Sequence, residues 1–371
     1  MDHSRHTSRR AFLHLGAGTA AALGFSEVLT KVSFGAPSNR TAICIYLVGG
    51  NDSNNMIVPL DSPAYEAYAR GRGALGLAKN VLLPVQGGPS ATYGFHPNLP
   101  GLRDLYNQNA LAVVANVGRV APDHAISGDA SDHTREMQLT CLPNAYLTVP
   151  WAVSKSAGQT VLPLPHSVSL AAPGADPLRH HSLVSAIAAA GSEGGSAATG
   201  LARQLNTVLS ALKLGAFRQQ VFLVPFAGFE TNRDQLKVQA ALFAELDNSL
   251  VAFYRAIGDL GLSRGVTIYT DTEFNRTLAP NKTGGTGHAW GGHQLVLGGS
   301  TLGGQIYGQF PSLAVGGPDD AAGNGTWAPS TSSAQYAATL AYWYGVNDLS
   351  DVPEYAAPAG AIRDRLAFLT S

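Results

Sequence analysis

The sequence predicts an α/β fold with a mainly parallel sheet, on two observations. Short apolar runs of strand length recur along the chain, and amphipathic stretches of helix length are interleaved with them. The runs are apolar throughout instead of alternating, as strands covered on both faces must be. In chain order the strands are "AICIYLV" (Ala42 to Val48), "ALAVVANV" (Ala110 to Val117), "VFLVPFAGF" (Val221 to Phe229), "GVTIYT" (Gly265 to Thr270) and a shorter "QLVLGG" (Gln294 to Gly299). The best helix runs from about Arg233 to Leu260, with Leu236, Ala240, Phe243, Leu246, Leu250, Phe253 and Ile257 along one stripe. A second, "SSAQYAATLAYWYG", follows serine and threonine residues that can cap it.

The ends of the chain and its composition narrow the setting. "TSRRAFLHLGAGTAAALG" places Arg9 and Arg10 before an apolar, small-residue stretch, the pattern of a twin-arginine export signal. Residues 1–36 are therefore expected to be a signal segment, and the chain to be periplasmic or extracellular. Residues 37–371 then form a single α/β domain, with a Gly/Ala/Ser-rich excursion around 172–200. Charged residues make up 13% of the chain and the net charge is −1, which gives no basic footprint for nucleic acid. No apolar run in the mature chain reaches membrane-spanning length. Cys44 and Cys141 read as two buried thiols, although an exported compartment would permit a disulfide.

Ligands of open α/β sheets sit beyond the carboxyl ends of the strands, so the residues after each strand matter most. Asp52 follows the first strand, in "GGNDSNN". His124, Asp132 and His133 follow the second, and Glu230 and Asn232 follow the third. Asp271, Glu273 and Arg276 follow the fourth, with the glycine loop "GTGHAWGGHQLVLGG" close behind. Acids and histidines thus cluster where this fold converges them. Each has a plainer reading. Asp52 after two glycines fits a turn or helix cap as well as a ligand. His288 and His293 are five apart, not the four of a helical zinc pair. Glu273 with Arg276 could be a buried ion pair, and His180 and His181 are expected to be solvated.

In their order and number the motifs "SRRAFL", "LVGGNDSNNMIVPL", "HPNLPGLRDLYNQNALAVVANVG", "GFETNRDQ", "TEFNRT", "GTGHAWGGHQLVLGG", "GGQIYGQFP" and "STSSAQYAATLAYWYGV" resemble the bacterial family of domain of unknown function 1501, of the alkaline phosphatase and sulfatase superfamily. The resemblance implies a doubly wound, three-layer α/β/α domain, alkaline-phosphatase-like, with a metal centre at the sheet ends. By position it implies metal-site roles for Asp52, Glu230, His288 and His293, and Glu273, after the fourth strand, is counted with them as a metal-site residue. The departures matter as much. Asn232 stands at a usual histidine, Gly287 at the aspartate beside His288, and Gln294 at a common second histidine. Asn275 replaces a glycine, and Asp132 stands where many members carry a serine. Amides are poor zinc ligands, and glycine has no side chain to offer.

Two functions compete on these residues. One is a metal-dependent hydrolase of phosphate or sulfate esters. In it Asp52, Glu230, His288 and His293 hold one divalent ion, most simply zinc, His133 carries a proton and Arg276 lies near the bound oxyanion. Its nucleophile would be Ser53, Ser127, Ser131 or Thr134. Its partner would be a small anionic ester. The other is a non-catalytic binding or assembly protein with a partly degenerate site, at most one metal ion or none, and an exported partner. The lost ligand positions favour the second.

Overall fold

The computed structural model describes residues 40–88, 91–118, 200–213, 220–348 and 365–370. It also describes short strands at Ser33–Phe34, Trp151–Ala152, Lys155–Ser156, Gln159–Thr160 and Leu164–Pro165. The expected signal segment apart from Ser33 and Phe34, residues 172–199 of the excursion, Cys141, His124, Asp132, His133, His180 and His181 lie outside the described residues.

The central sheet is built from β1 (Thr41–Val48), β5 (Leu111–Gly118), β6 (Gln220–Ala227), β7 (Val266–Asp271) and β10 (Gly292–Gly298). Two short strands join it, β11 (Ile306–Tyr307) and β12 (Thr331–Ser332). Its order is β6-β1-β7-β10-β5-β11, with β12 also paired to β5. β6 and β7 both run parallel to β1, whereas β10 is antiparallel to both β7 and β5. All five expected strands are therefore present, and the sheet is mainly parallel with β10 reversed.

Alternate side chains of β1 go to opposite faces, as a period of two requires. Ile43, Ile45 and Leu47 pack with α2 (Pro100–Asn107), α3 (Leu201–Lys213) and α4 (Gln235–Asp259). Ala42 and Cys44 pack on the other face against α5 (Ser333–Tyr344), through Tyr336, Ala337, Leu340 and Tyr344. Small strand residues meet large aromatic helix residues there, and the two sets fill the layer between them. Helices thus cover both faces, giving the doubly wound three-layer arrangement. The expected cap of α5 is a full capping box: Ser332 accepts from the Gln335 N–H, and the Gln335 side chain reaches back to the Ser332 N–H.

A satellite unit covers one side of the sheet's carboxyl edge. It comprises β2 (Ile57–Pro59), α1 (Ser62–Arg72), β3 (Leu83–Gln86) and β4 (Thr92–Phe95), the three strands forming a small antiparallel sheet. Val58, Leu60, Tyr68 and Leu82 pack there with Leu278, Leu313 and Trp327.

One side of α4 departs from the predicted stripe. Phe243, Leu246, Leu250, Phe253 and Ile257 are buried, but Leu236 is exposed, and Gln235, Gln239 and Asp247 point inward. The first turns of α4 lie over a polar interior near Asp52, where amides find partners and leucine would not. Leu250→Ala should therefore lower unfolding free energy by roughly 2–5 kcal/mol, whereas Leu236→Ala should change it by less than about 0.5 kcal/mol. Denaturant melts of both variants check this, and equal losses would place the stripe where the sequence put it.

Candidate functional site at the strand ends

Because β6, β1 and β7 are parallel and β10 starts where β7 and β5 end, the loops after β1, β6, β7 and β5 share one edge with the start of β10. Asp52, Glu230, Glu273 and His293 all lie at that edge. His288 joins them through β9 (His288–Ala289), which pairs with β8 (Asn275–Arg276) just beyond β7.

What each side chain touches there is a separate question. Asn51, Asp52, Ser53, Asn54 and Asn55 are all buried. Asp52 Oδ2 accepts from Arg72 Nη2 and Gln235 Nε2, Oδ1 accepts from the Asn54 N–H at 3.0 Å, and the Asp52 carbonyl accepts from Gln239 Nε2 at 2.7 Å. Arg72 is itself fully buried, its other donors directed to Asn55 Oδ1 and to the carbonyls of Thr277 and Leu278. Tyr68 donates to the same Asn55 oxygen, and Trp327 Nε1 donates to Asn54 Oδ1. Asp52 is thus the anionic centre of a hydrogen-bonded hub whose positive charge is a guanidinium. Arg72 and Gln235 carry no signal a strand-end search would find: Arg72 ends a helix of the satellite unit, and Gln235 begins α4.

Ser53 belongs to the same interior. Its hydroxyl lies 3.1 Å from Asn275 Oδ1 and accepts from the His293 N–H at 2.9 Å, so both its roles are filled. Among the four nucleophile candidates it is the one inside the described residues, and its oxygen is committed.

Glu273 Oε2 accepts from the N–H groups of Gly49 and Gly50, at 3.0 and 3.2 Å. Burial pushes its pKa up, against those two amides. The two glycines have φ of +110° and +81°; a Cβ would lie 2.4 Å from the Glu230 nitrogen at Gly49 and 2.0 Å from the Phe274 ring at Gly50. Only glycine lets the three loops approach so closely.

Arg276 is fully buried and ties the edge together. It donates to the carbonyls of Gly50, Phe229, Thr286 and Gly49 and, at 2.7 Å, to Glu230 Oε1. A guanidinium has five N–H donors, so almost none is left for an oxyanion. The expected role beside a bound ester is replaced by that of a strut between three loops.

The two histidines of the glycine loop part company. His288 is partly exposed, stacks on Phe274 with ring centroids 3.9 Å apart, and brings Nε2 to 3.4 Å from Glu230. His293 is buried and stacks on Phe310 at 4.2 Å. Its Nδ1 accepts from the Asn116 N–H at 3.0 Å, which leaves the proton of the neutral ring on Nε2, where no partner is found among the described residues. Burial holds its pKa down at about 3. Asn116 sits at φ +51° in β5 opposite a register shift in β10, so the imidazole replaces a ladder bond at a bulge. The glycines of the loop differ too. A Cβ at Gly285 would lie 2.2 Å from the Asn232 backbone and one at Gly291 1.9 Å from Asn116 Oδ1, whereas at Gly287 nothing lies closer than 3.7 Å. Packing requires glycine at the first two positions and not at Gly287.

The five expected metal residues therefore share an edge but not a coordination sphere. Asp52 is paired with Arg72, Glu273 with two amides, Glu230 with Arg276 and His288, and His293 faces the interior. Among the described residues no group of three or more His, Cys, Asp or Glu side chains is placed to hold a metal ion. A two-ion centre does not fit this donor set, because its central carboxylate already has a buried counter-charge.

Residues 183–322 match the family model described as "Protein of unknown function (DUF1501)", which bears out the resemblance to that family. No curated protein matches the chain. Among solved structures, it is similar to Ps i-CgsB (10% identity, 84% of this chain and 73% of that one, TM-score 0.38). It is also similar to the lipoteichoic acid synthase LtaP from Listeria monocytogenes (10% identity, 88% and 78%, TM-score 0.36).

Glu230 sets a pH dependence. Burial alone would raise its pKa, but hydrogen bonds from His288 and Arg276 outweigh this and hold it at about 2. A depressed carboxylate stabilises the fold above its unfolded pKa, and that contribution fades as pH falls through the folded value. Wild type should thus lose stability relative to Glu230→Gln between about pH 4.5 and pH 2, a small effect because Glu230 is half exposed. Thermal melts across that window check it; parallel curves would show that the pair contributes nothing.

Proposed function

We propose that this DUF1501-matching chain is an exported protein of alkaline-phosphatase and sulfatase-like fold that acts by binding or assembly, not by ester hydrolysis. The observation that carries the reading is the buried Arg72 guanidinium on Asp52, in the place where a hydrolase needs an open carboxylate. Three further features support it. The Ser53 hydroxyl is committed to Asn275 and His293, Arg276 is engaged by carbonyls, and Gly287 offers no carboxylate although a Cβ there would meet nothing closer than 3.7 Å. Export is carried by Arg9 and Arg10 before the apolar stretch.

The alternative, a metal-dependent hydrolase of phosphate or sulfate esters, draws on one feature, the partly exposed Glu230–His288 pair at the edge. Two protein groups leave a zinc ion short of its usual four ligands.

The purified protein, supplied with zinc, should hold at most one equivalent by elemental analysis and should hydrolyse simple phosphate and sulfate esters slowly or not at all. Two tightly held equivalents, with brisk hydrolysis lost in His288→Ala, would restore the hydrolase. Export is tested separately: replacing Arg9 and Arg10 with lysine should leave precursor in the cytoplasm, and undiminished export would remove that part of the reading.

A further inference from the structure

Between the carboxyl ends of β7 and β5, the start of the reversed strand β10 leaves a crevice. Asp271, Glu273, Asn275, Trp290, Gln294 and Ser333 line it. It stands where ligands collect in open α/β sheets, yet nothing in the Asp52 hub accounts for it. Two of its polar atoms are buried and have no hydrogen-bond partner among the described residues: Trp290 Nε1 and Ser333 Oγ, the serine being 6% exposed. Others are held in place from behind, with Gln294 Oε1 accepting from Thr270 and Asn275 bonded to Ser53 and the Gly291 carbonyl.

The lining selects its ligand by elimination. Among the described lining residues are two carboxylates and neither lysine nor arginine, so a phosphate or sulfate would meet like charge from them in a low-dielectric setting. An ammonium would suit the carboxylates, but the indole N–H is a donor only and would face another donor. A hydroxyl both donates and accepts, and satisfies carboxylate, amide and indole together. The space open to the centre of a water-sized group is about 20 Å³, enough to seat one hydroxyl. We infer that this crevice binds one end of a neutral hydroxylated ligand, a sugar or polyol, with the Trp290 N–H and the Ser333 hydroxyl as the orienting contacts. The inference rests on the reading of a binding protein and names its ligand class.

Indole N–H resonances of the full-length, ¹⁵N-tryptophan-labelled protein give the test, Trp290→Phe identifying the relevant one of the four. Glycerol, glucose, glucose 6-phosphate and methylammonium are titrated in turn. Glucose or glycerol should shift the Trp290 resonance, and Ser333→Ala, checked as folded by its melting curve, should weaken that binding about tenfold. A response to glycerol as well points to free polyols, and to glucose alone points to the end of a glycan. No shift with either up to roughly 100 mM, a shift indifferent to Ser333→Ala, or tighter binding of glucose 6-phosphate or methylammonium would overturn the inference. An inert protein that ignores both neutral ligands sinks this inference alone, and one that binds glucose yet hydrolyses esters briskly sinks the proposed function alone.

Discussion

A buried carboxylate must be met by hydrogen bonds or a counter-charge, and in this protein Asp52 has both, the charge being that of Arg72. The pair lies where β1 ends, beneath the first turns of α4 and against the satellite unit, and each neighbour is placed by a hydrogen bond to it or to its partners. Gln235 and Gln239 turn the start of α4 inward. Asn55 couples Arg72 to Tyr68, and the carbonyls of Thr277 and Leu278 fix the segment after β8. Removing either charge strands the other away from water, at a cost of roughly 3–5 kcal/mol. The satellite unit and the sheet edge are therefore one construction.

The same logic repeats across the edge. Arg276 gathers the carbonyls of three loops and the carboxylate of Glu230, and the Gly49 and Gly50 amides hold Glu273. Groups that could converge on an ion are turned instead toward guanidinium or backbone. These contacts tie the loops of the edge to one another, and the neighbouring crevice lies beside them at the start of β10, between β7 and β5.

Much of the fold was legible because its strands are apolar on both faces and its strand ends are polar. "AICIYLV" and "GVTIYT" announce buried parallel strands, and the serines before "AQYAATLAYWYG" announce a cap. The satellite sheet was not legible: "IVP", "LPVQ" and "TYGF" are short and interrupted by proline or glycine, and periodicity has nothing to count there. The reversal of β10 depends on pairing geometry, which no single strand carries. At the site, the order of strands was enough to bring Asp52, Glu230, Glu273 and His293 to one edge. It could not say that Asp52 would face Arg72, because that pairing depends on how a helix twenty residues on folds back. That Gly287 offers no carboxylate beside His288 was legible; the guanidinium that balances Asp52 was not.

The central claim is that Arg72, and not a metal ion, is the counter-charge of Asp52. Crystals grown in excess zinc, with anomalous diffraction collected at the zinc edge, test it directly. The account predicts no anomalous peak at Asp52, with Arg72 still paired to its carboxylate. A zinc ion within about 2.0–2.2 Å of an Asp52 carboxylate oxygen, with Arg72 displaced, would contradict it.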